Sequence, residues 1–129
     1  MSGLQQIYNQ IKSEAAKILN LDIESADDVI AAFDINLNYI IANPAACGLL
    51  HKEKHELEGK NLLSVFPSLT ASASHRHLLS ALSGKTLLDV PSEGNVTKEG
   101  AKFISDYYPL FRNDKVYAVL AHTKLLYLP

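Results

Sequence analysis

The sequence predicts an α+β domain built on an antiparallel sheet, and three observations lead there. Apolar residues recur at three- and four-residue steps over residues 2–19, the spacing of a single helix stripe. Short apolar runs set off by polar turns group at residues 29–42 and again at residues 86–126. Helix-compatible segments lie between those groups, and strands gathered at both ends with helices between them define the α+β class. A length of 129 residues fits one domain with a helical extension. Chains of that size bury roughly two-thirds of their unfolded surface, so a core forms without staples.

The first element is amphipathic. Leu4, Ile7, Tyr8, Ile11, Ala15, Ile18 and Leu19 share one stripe, while Gln5, Gln6, Asn9, Lys12, Ser13 and Lys17 fill the other side. Ser2 and Gln5 have capping-box spacing, and Asn20 suits the C-terminal end. Such a helix packs on its own domain, on a second copy, or on both; about two heptads are too short for a coiled coil alone. Residues 1–22 are therefore set apart as a dimerisation or capping helix, with Leu4, Ile7, Tyr8, Ile11 and Ile18 as contact residues. Residues 23–129 form the domain proper.

After a polar break at residues 20–27, Val29–Phe33 and Tyr39–Ala42 read as strands joined by the turn Asp34–Asn38. Asn43 is a natural helix N-cap, and Pro44 then stands at the first helical position, where its missing N–H costs nothing. That short helix runs to about Leu50. Residues 51–60 are charged and read as solvated, ending near Gly59. Leu62, Leu63, Val65 and Phe66 form an apolar piece closed by Pro67. Residues 70–83 read as a helix with Leu78, Leu79 and Leu82 on one side, terminated by Gly84. Thr86–Val90, Phe103–Leu110 and Val116–Leu126 are the remaining strands, with turn chemistry at residues 93–95, 98–100 and 112–115.

Composition narrows the function. A net charge of −2 lacks the basic surplus that nucleic acids and anionic membranes require. The single cysteine, Cys47, supports neither a disulfide framework nor a Cys-rich zinc site. No apolar run approaches the roughly 20 residues of a membrane span, and the N-terminus lacks the basic-then-apolar order of a secretory signal. The expected setting is a reducing cytoplasm, without nucleic acid and without membrane insertion. Glycine-rich phosphate loops and the Gly-x-Ser-x-Gly turn are absent, and Asp34, Asp89, Asp106 and Asp114 are scattered without the apolar setting that tunes an acid–base pair. The domain is expected to be non-catalytic. His51 and His55 have zinc-compatible spacing, but Lys52 and Lys54 disfavour a cation, so no metal is expected.

Four features of Asp28–Leu126 together resemble the PAS domain family. They are a strand ending in Asp34 before Tyr39-Ile40-Ile41, Asn43-Pro44-Ala45-Ala46 opening a short helix, Leu57-Glu58-Gly59-Lys60 ahead of Phe66-Pro67, and a strand running into Tyr108-Pro109-Leu110 before a last apolar strand. Asp34, Asn43, Pro44 and Gly59 are the fold-motif positions. The resemblance implies a five-stranded antiparallel sheet in the order 2-1-5-4-3 with helices on one face. It implies a sensory or protein-interaction module of a larger bacterial-type signalling protein, such as a histidine kinase of a two-component system or a diguanylate cyclase. It also implies a homodimer formed through the N-terminal helix. The sequence departs from the family at His51, where Gly is usual, and at Ala121-His122-Thr123, where Asp-Ile-Thr is typical.

A domain that lays helices over one sheet face leaves room for an apolar ligand pocket, although a filled core is the competing expectation. An unpaired Asp106 inside would be costly, which favours Phe103, Ser105 and Tyr107 as the inward set. Phe66, Leu79, Leu82 and Tyr117 are the other lining candidates. Some PAS oxygen sensors hold haem through a histidine on the helix matching residues 70–83, which makes His75 the residue for that alternative. The photoreactive LOV subtype carries a cysteine after Gly-x-Asn to attack flavin; here Leu62 follows Gly59-Lys60-Asn61, and Cys47 reads as a packed hydrophobe. The expectation is a module without a cofactor; a haem or flavin sensor, or an unrelated small α+β enzyme, are the alternatives.

Overall fold

The computed structural model describes residues 3–93 and 102–127. Helix α1 (Gly3–Leu19) leads into β1 (Val29–Asp34) and β2 (Tyr39–Ala42). Four short helices follow: α2 (Pro44–Leu50), α3 (Lys54–Leu57), α4 (Leu62–Val65) and, after a 3₁₀ turn at Pro67–Leu69, α5 (Ala73–Leu82). Strands β3 (Leu87–Glu93), β4 (Lys102–Arg112) and β5 (Lys115–Tyr127) come last. All five strands form one antiparallel sheet in the order β2-β1-β5-β4-β3. The expected cap Ser2, the side chain of Leu4 and the turn residues 94–100 lie outside the described set.

Local chemistry explains the turns. The Asp34 carboxylate accepts from the amides of Asn36 and Asn38, each at 2.9 Å, and from Asn38 Nδ2 at 3.0 Å, which closes the β1–β2 hairpin. Between β4 and β5, Asn113 (φ 52°) and Asp114 (φ 64°) both take the left-handed conformation that matches strand twist in a two-residue hairpin. The outer edge of β2 is occupied. Tyr39 donates to Lys60 O at 2.9 Å and accepts from the Gly59 amide at 2.8 Å, while the Ala42 amide donates to Glu58 Oε2 at 3.1 Å. Gly59 has φ +84°, so a side chain there would be strained. His51, where the family favours Gly, is the left-handed C-cap of α2 at φ 55°, which supplies the physical reason for that preference.

The sheet carries a core on each face. Helices α2–α5 pack Leu57, Leu62, Phe66, Leu69 and Leu78 over Phe33, Tyr39, Tyr107 and Val119. Helix α1 packs Ile11 and Ala15 over Ile30, Ala32, Ile40 and Leu120. Both Ile11 and Ala15 are fully buried, and each large aliphatic side chain so placed contributes about 1.5–3 kcal/mol.

The structure departs from the sequence expectations at several places. The charged stretch 51–60 is not simply solvated: it contains α3, opened by a reciprocal Glu53–Glu56 capping box, and Leu57 within it is fully buried. Leu79 is 47% exposed, because α5 turns Leu78 and the small Ala81 toward the sheet. Tyr117 packs on the α1 face. A register shift lets Leu110 pair with Ala118 and Phe111 with Val116, so Tyr117 is the extra residue of a bulge and strict alternation fails there. Of the packing partners open to the first helix, Ile11 takes the chain's own sheet, as one of the expected readings had it.

Candidate functional site

Phe103, Ser105 and Tyr107 are buried along one face of β4, and Tyr107 joins the core covered by α2–α5. Phe66 is buried in the same layer and Leu82 packs half-buried against it. The layer is not wholly apolar. Ser105 pairs across the sheet with Thr123, and their hydroxyl oxygens are 2.8 Å apart. The Tyr107 phenol is pushed up by burial, an effect softened by hydrogen bonds with Ser105 and Ser74. The His77 ring lies 5.6 Å from the Tyr107 ring at a 44° tilt. Its Nδ1 is buried and has no hydrogen-bond partner among the described residues. Buried polar atoms are nearly always paired, so an orphan marks a place where a partner is wanted.

Sequence reasoning therefore found Phe66, Leu82, Phe103, Ser105 and Tyr107 and missed His77, Ser74 and Thr123. Helix phase held the signal for His77, since it lies one turn before Ala81. His75, the candidate haem ligand, instead accepts from the Ala71 amide through Nδ1 at 3.1 Å, in an exposed contact at the start of α5.

Other candidate groups have structural duties. Asn43 is fully buried, and its side chain makes four hydrogen bonds. Its Oδ1 accepts from the amides of Ile30 and Ala46, each at 3.0 Å, and its Nδ2 donates to Ile23 O at 3.0 Å and Asp28 O at 2.9 Å. Cys47 is half-buried, and burial, reinforced by Glu58, pushes its thiol up, away from the reactive thiolate. A cleft of about 310 Å³ runs between α1 and α3, lined by Tyr8, Tyr39, Ile40, Lys54 and Glu58. Its polar groups already engage one another. Tyr8 donates to Glu24 at 2.9 Å, and Lys54 Nζ lies 3.4 Å from both Tyr8 Oη and Glu24 Oε1 and 3.7 Å from Glu58. The cleft thus works as a latch on α1.

Among the described residues no helix is long and apolar enough to cross a membrane. The chain is similar in fold to a sensory box sensor histidine kinase structure from Vibrio cholerae, with 16% identity over 95% of this chain and 99% of that one and a TM-score of 0.64. It is similar to the PAS domain of Bordetella pertussis BvgS, with 14% identity, 89% and 88% coverage and a TM-score of 0.64. The PAS domain of nitrogen regulation protein NR(II) from Vibrio parahaemolyticus is a third likeness, with 16% identity, 81% and 94% coverage and a TM-score of 0.59. No curated protein matches the sequence. The family described as PAS fold matches residues 23–124. With the sheet order and both covering layers in place, the chain belongs to the PAS fold family, which its sequence resembles.

Proposed function

We propose that this module binds a small molecule between α5 and β4–β5 and signals as a homodimer through α1 and β5. The observation that carries the reading is the orphaned His77 Nδ1 beside Tyr107, in a layer where Ser105 and Thr123 already add polar groups. A ligand with a complementary polar atom completes that hydrogen bond and favours whichever domain arrangement holds it better; equal affinity for both arrangements would shift nothing. The module itself does no bond-making, and a kinase or cyclase output would stand elsewhere in a cytoplasmic signalling protein. A protein-observed NMR screen with small uncharged polar fragments tests this. Binders are expected to shift the amides of His77, Ser105, Tyr107 and Thr123, and His77→Ala is expected to abolish the response. Fragments that shift only residues of the α1–α3 cleft would overturn it.

A further inference from the structure

We propose that Asp28, His122 and Asp106 form a proton-operated joint at the outgoing end of β5. His122 pairs across the sheet with Ile30 of β1 and Asp106 of β4, and only 7% of it is exposed. Its Nε2 donates to Asp28 Oδ2 at 2.9 Å. Its Nδ1 faces Asp106 Oδ2 at 3.9 Å, inside ion-pairing range and outside hydrogen-bonding range. A neutral imidazole has one N–H, which the Asp28 bond uses, so a lone pair is left turned toward a carboxylate. The protonated ring has a second N–H, and that N–H draws Asp106 toward Nδ1. Histidine is the side chain that ordinarily changes charge near physiological pH.

The surroundings decide what the proton moves. Asp106 Oδ1 accepts from the Asp89 amide of β3 at 2.8 Å, and Tyr108 Oη donates to Asp106 Oδ2 at 3.4 Å. The Asp89 backbone amide therefore meets the joint from β3, and the Tyr108 hydroxyl meets it from β4. Ile30 on β1 brings no charge, and Lys124 stands two residues further along β5. On α1, Glu14 is engaged by the Tyr117 hydroxyl at 3.0 Å. A shift of Asp106 thus reaches β3, while Asp28, whose carbonyl is held by Asn43 Nδ2 at 2.9 Å, ties the joint to the segment between α1 and β1.

The proposal rests on β5 carrying the output, but its test needs no ligand. The intact chain and His122→Gln are titrated by NMR between about pH 5 and 8. In the parent, the His122 ring and the amides of residues 28, 89, 106 and 123–126 are expected to move with one midpoint. Amide exchange at residues 123–126 is expected to be about five-fold faster with the ring neutral, the factor of one modest hydrogen bond. His122→Gln keeps a donor for Asp28, and none of these amides should respond in it. Should that variant fail to fold, Asp106→Asn serves instead: the ring still titrates and the Asp89 amide no longer follows. Amides at 123–126 that stay still while the His122 ring titrates, or that move identically in His122→Gln, would overturn the joint. A failed fragment screen leaves this result standing, and a flat titration leaves the ligand reading standing.

Discussion

On one face of the sheet, the cover is threaded between strands: α2–α5 leave β2 and return to β3, and side chains of the same segment cap them. Asn43 caps α2, Asn61 caps α4 and Ser72 caps α5. On the other face, the cover is one helix that reaches the sheet through residues 20–28 alone. Helix α1 is held by its apolar seam and by side-chain bonds along its flanks, Tyr8 to Glu24, Tyr117 to Glu14 and Arg112 to Gln10. A threaded cover leaves only by unfolding the sheet, whereas a tethered cover can lift as a unit. The difference teaches which layer can carry a signal: the α1 stripe serves its own sheet or a partner with the same chemistry.

The largest expected effect lies on the threaded side. Asn43→Ala orphans the amides of Ile30 and Ala46 and the carbonyls of Ile23 and Asp28 in one change. Relaxation and water recover part of that, so the expected loss is about 3–4 kcal/mol in urea unfolding, in one cooperative step. A loss under about 1 kcal/mol would break the claim that this cover is woven into the sheet.

The α1 side should answer differently at two positions of one helix. Ile11 is fully buried and Ile18 is 43% exposed. Ile11→Ala is expected to cost about 2–4 kcal/mol, with α1 amides losing exchange protection before those of β1 and β5. Ile18→Glu is expected to leave stability within about 0.5 kcal/mol and to lower the mass in light scattering to that of a monomer. Loss of protection in all strands at once in Ile11→Ala would erase the distinction between the two covers. An unchanged mass in Ile18→Glu would confine α1 to its own sheet.

The contrast also sorts what the sequence disclosed. Tyr39–Ala42 and the Asn43-Pro44 start of α2 were legible because a run of apolar residues and a cap are local signals. Strand order was not local; it came with the family resemblance. Tyr117 was misplaced because a bulge has no strong composition, and one extra residue reverses the faces. Helix α3 was hidden by its charges: Leu57 is one buried apolar residue among lysines and glutamates, and the Glu53–Glu56 spacing was the available clue. The Asp28–His122–Asp106 set became visible only once the fold placed residues distant in sequence side by side, whereas His77 had a local signal in its helix phase.

The smallest effect sits where the two covers meet. Glu58 caps the β2 edge through Ala42 and faces Lys54, which also engages Tyr8 of α1. Burial raises the Glu58 carboxyl above the ordinary glutamate range, against the opposing pull of the Ala42 amide and Lys54. The folded chain therefore holds that proton to higher pH than the unfolded chain does. Stability linked to this group is present below the ordinary glutamate value and is lost as pH rises through the raised one. Glu58→Gln keeps an acceptor for the Ala42 amide and removes the titration. The variant is expected to match or exceed the parent by up to about 0.5 kcal/mol at neutral pH, with the difference shrinking as the pH is lowered toward the glutamate range. Denaturation midpoints of both proteins across that range measure it. A parent that gains stability over Glu58→Gln as pH rises would mean that the Lys54 pairing outweighs desolvation, and that the latch on α1 is electrostatic rather than a matter of packing.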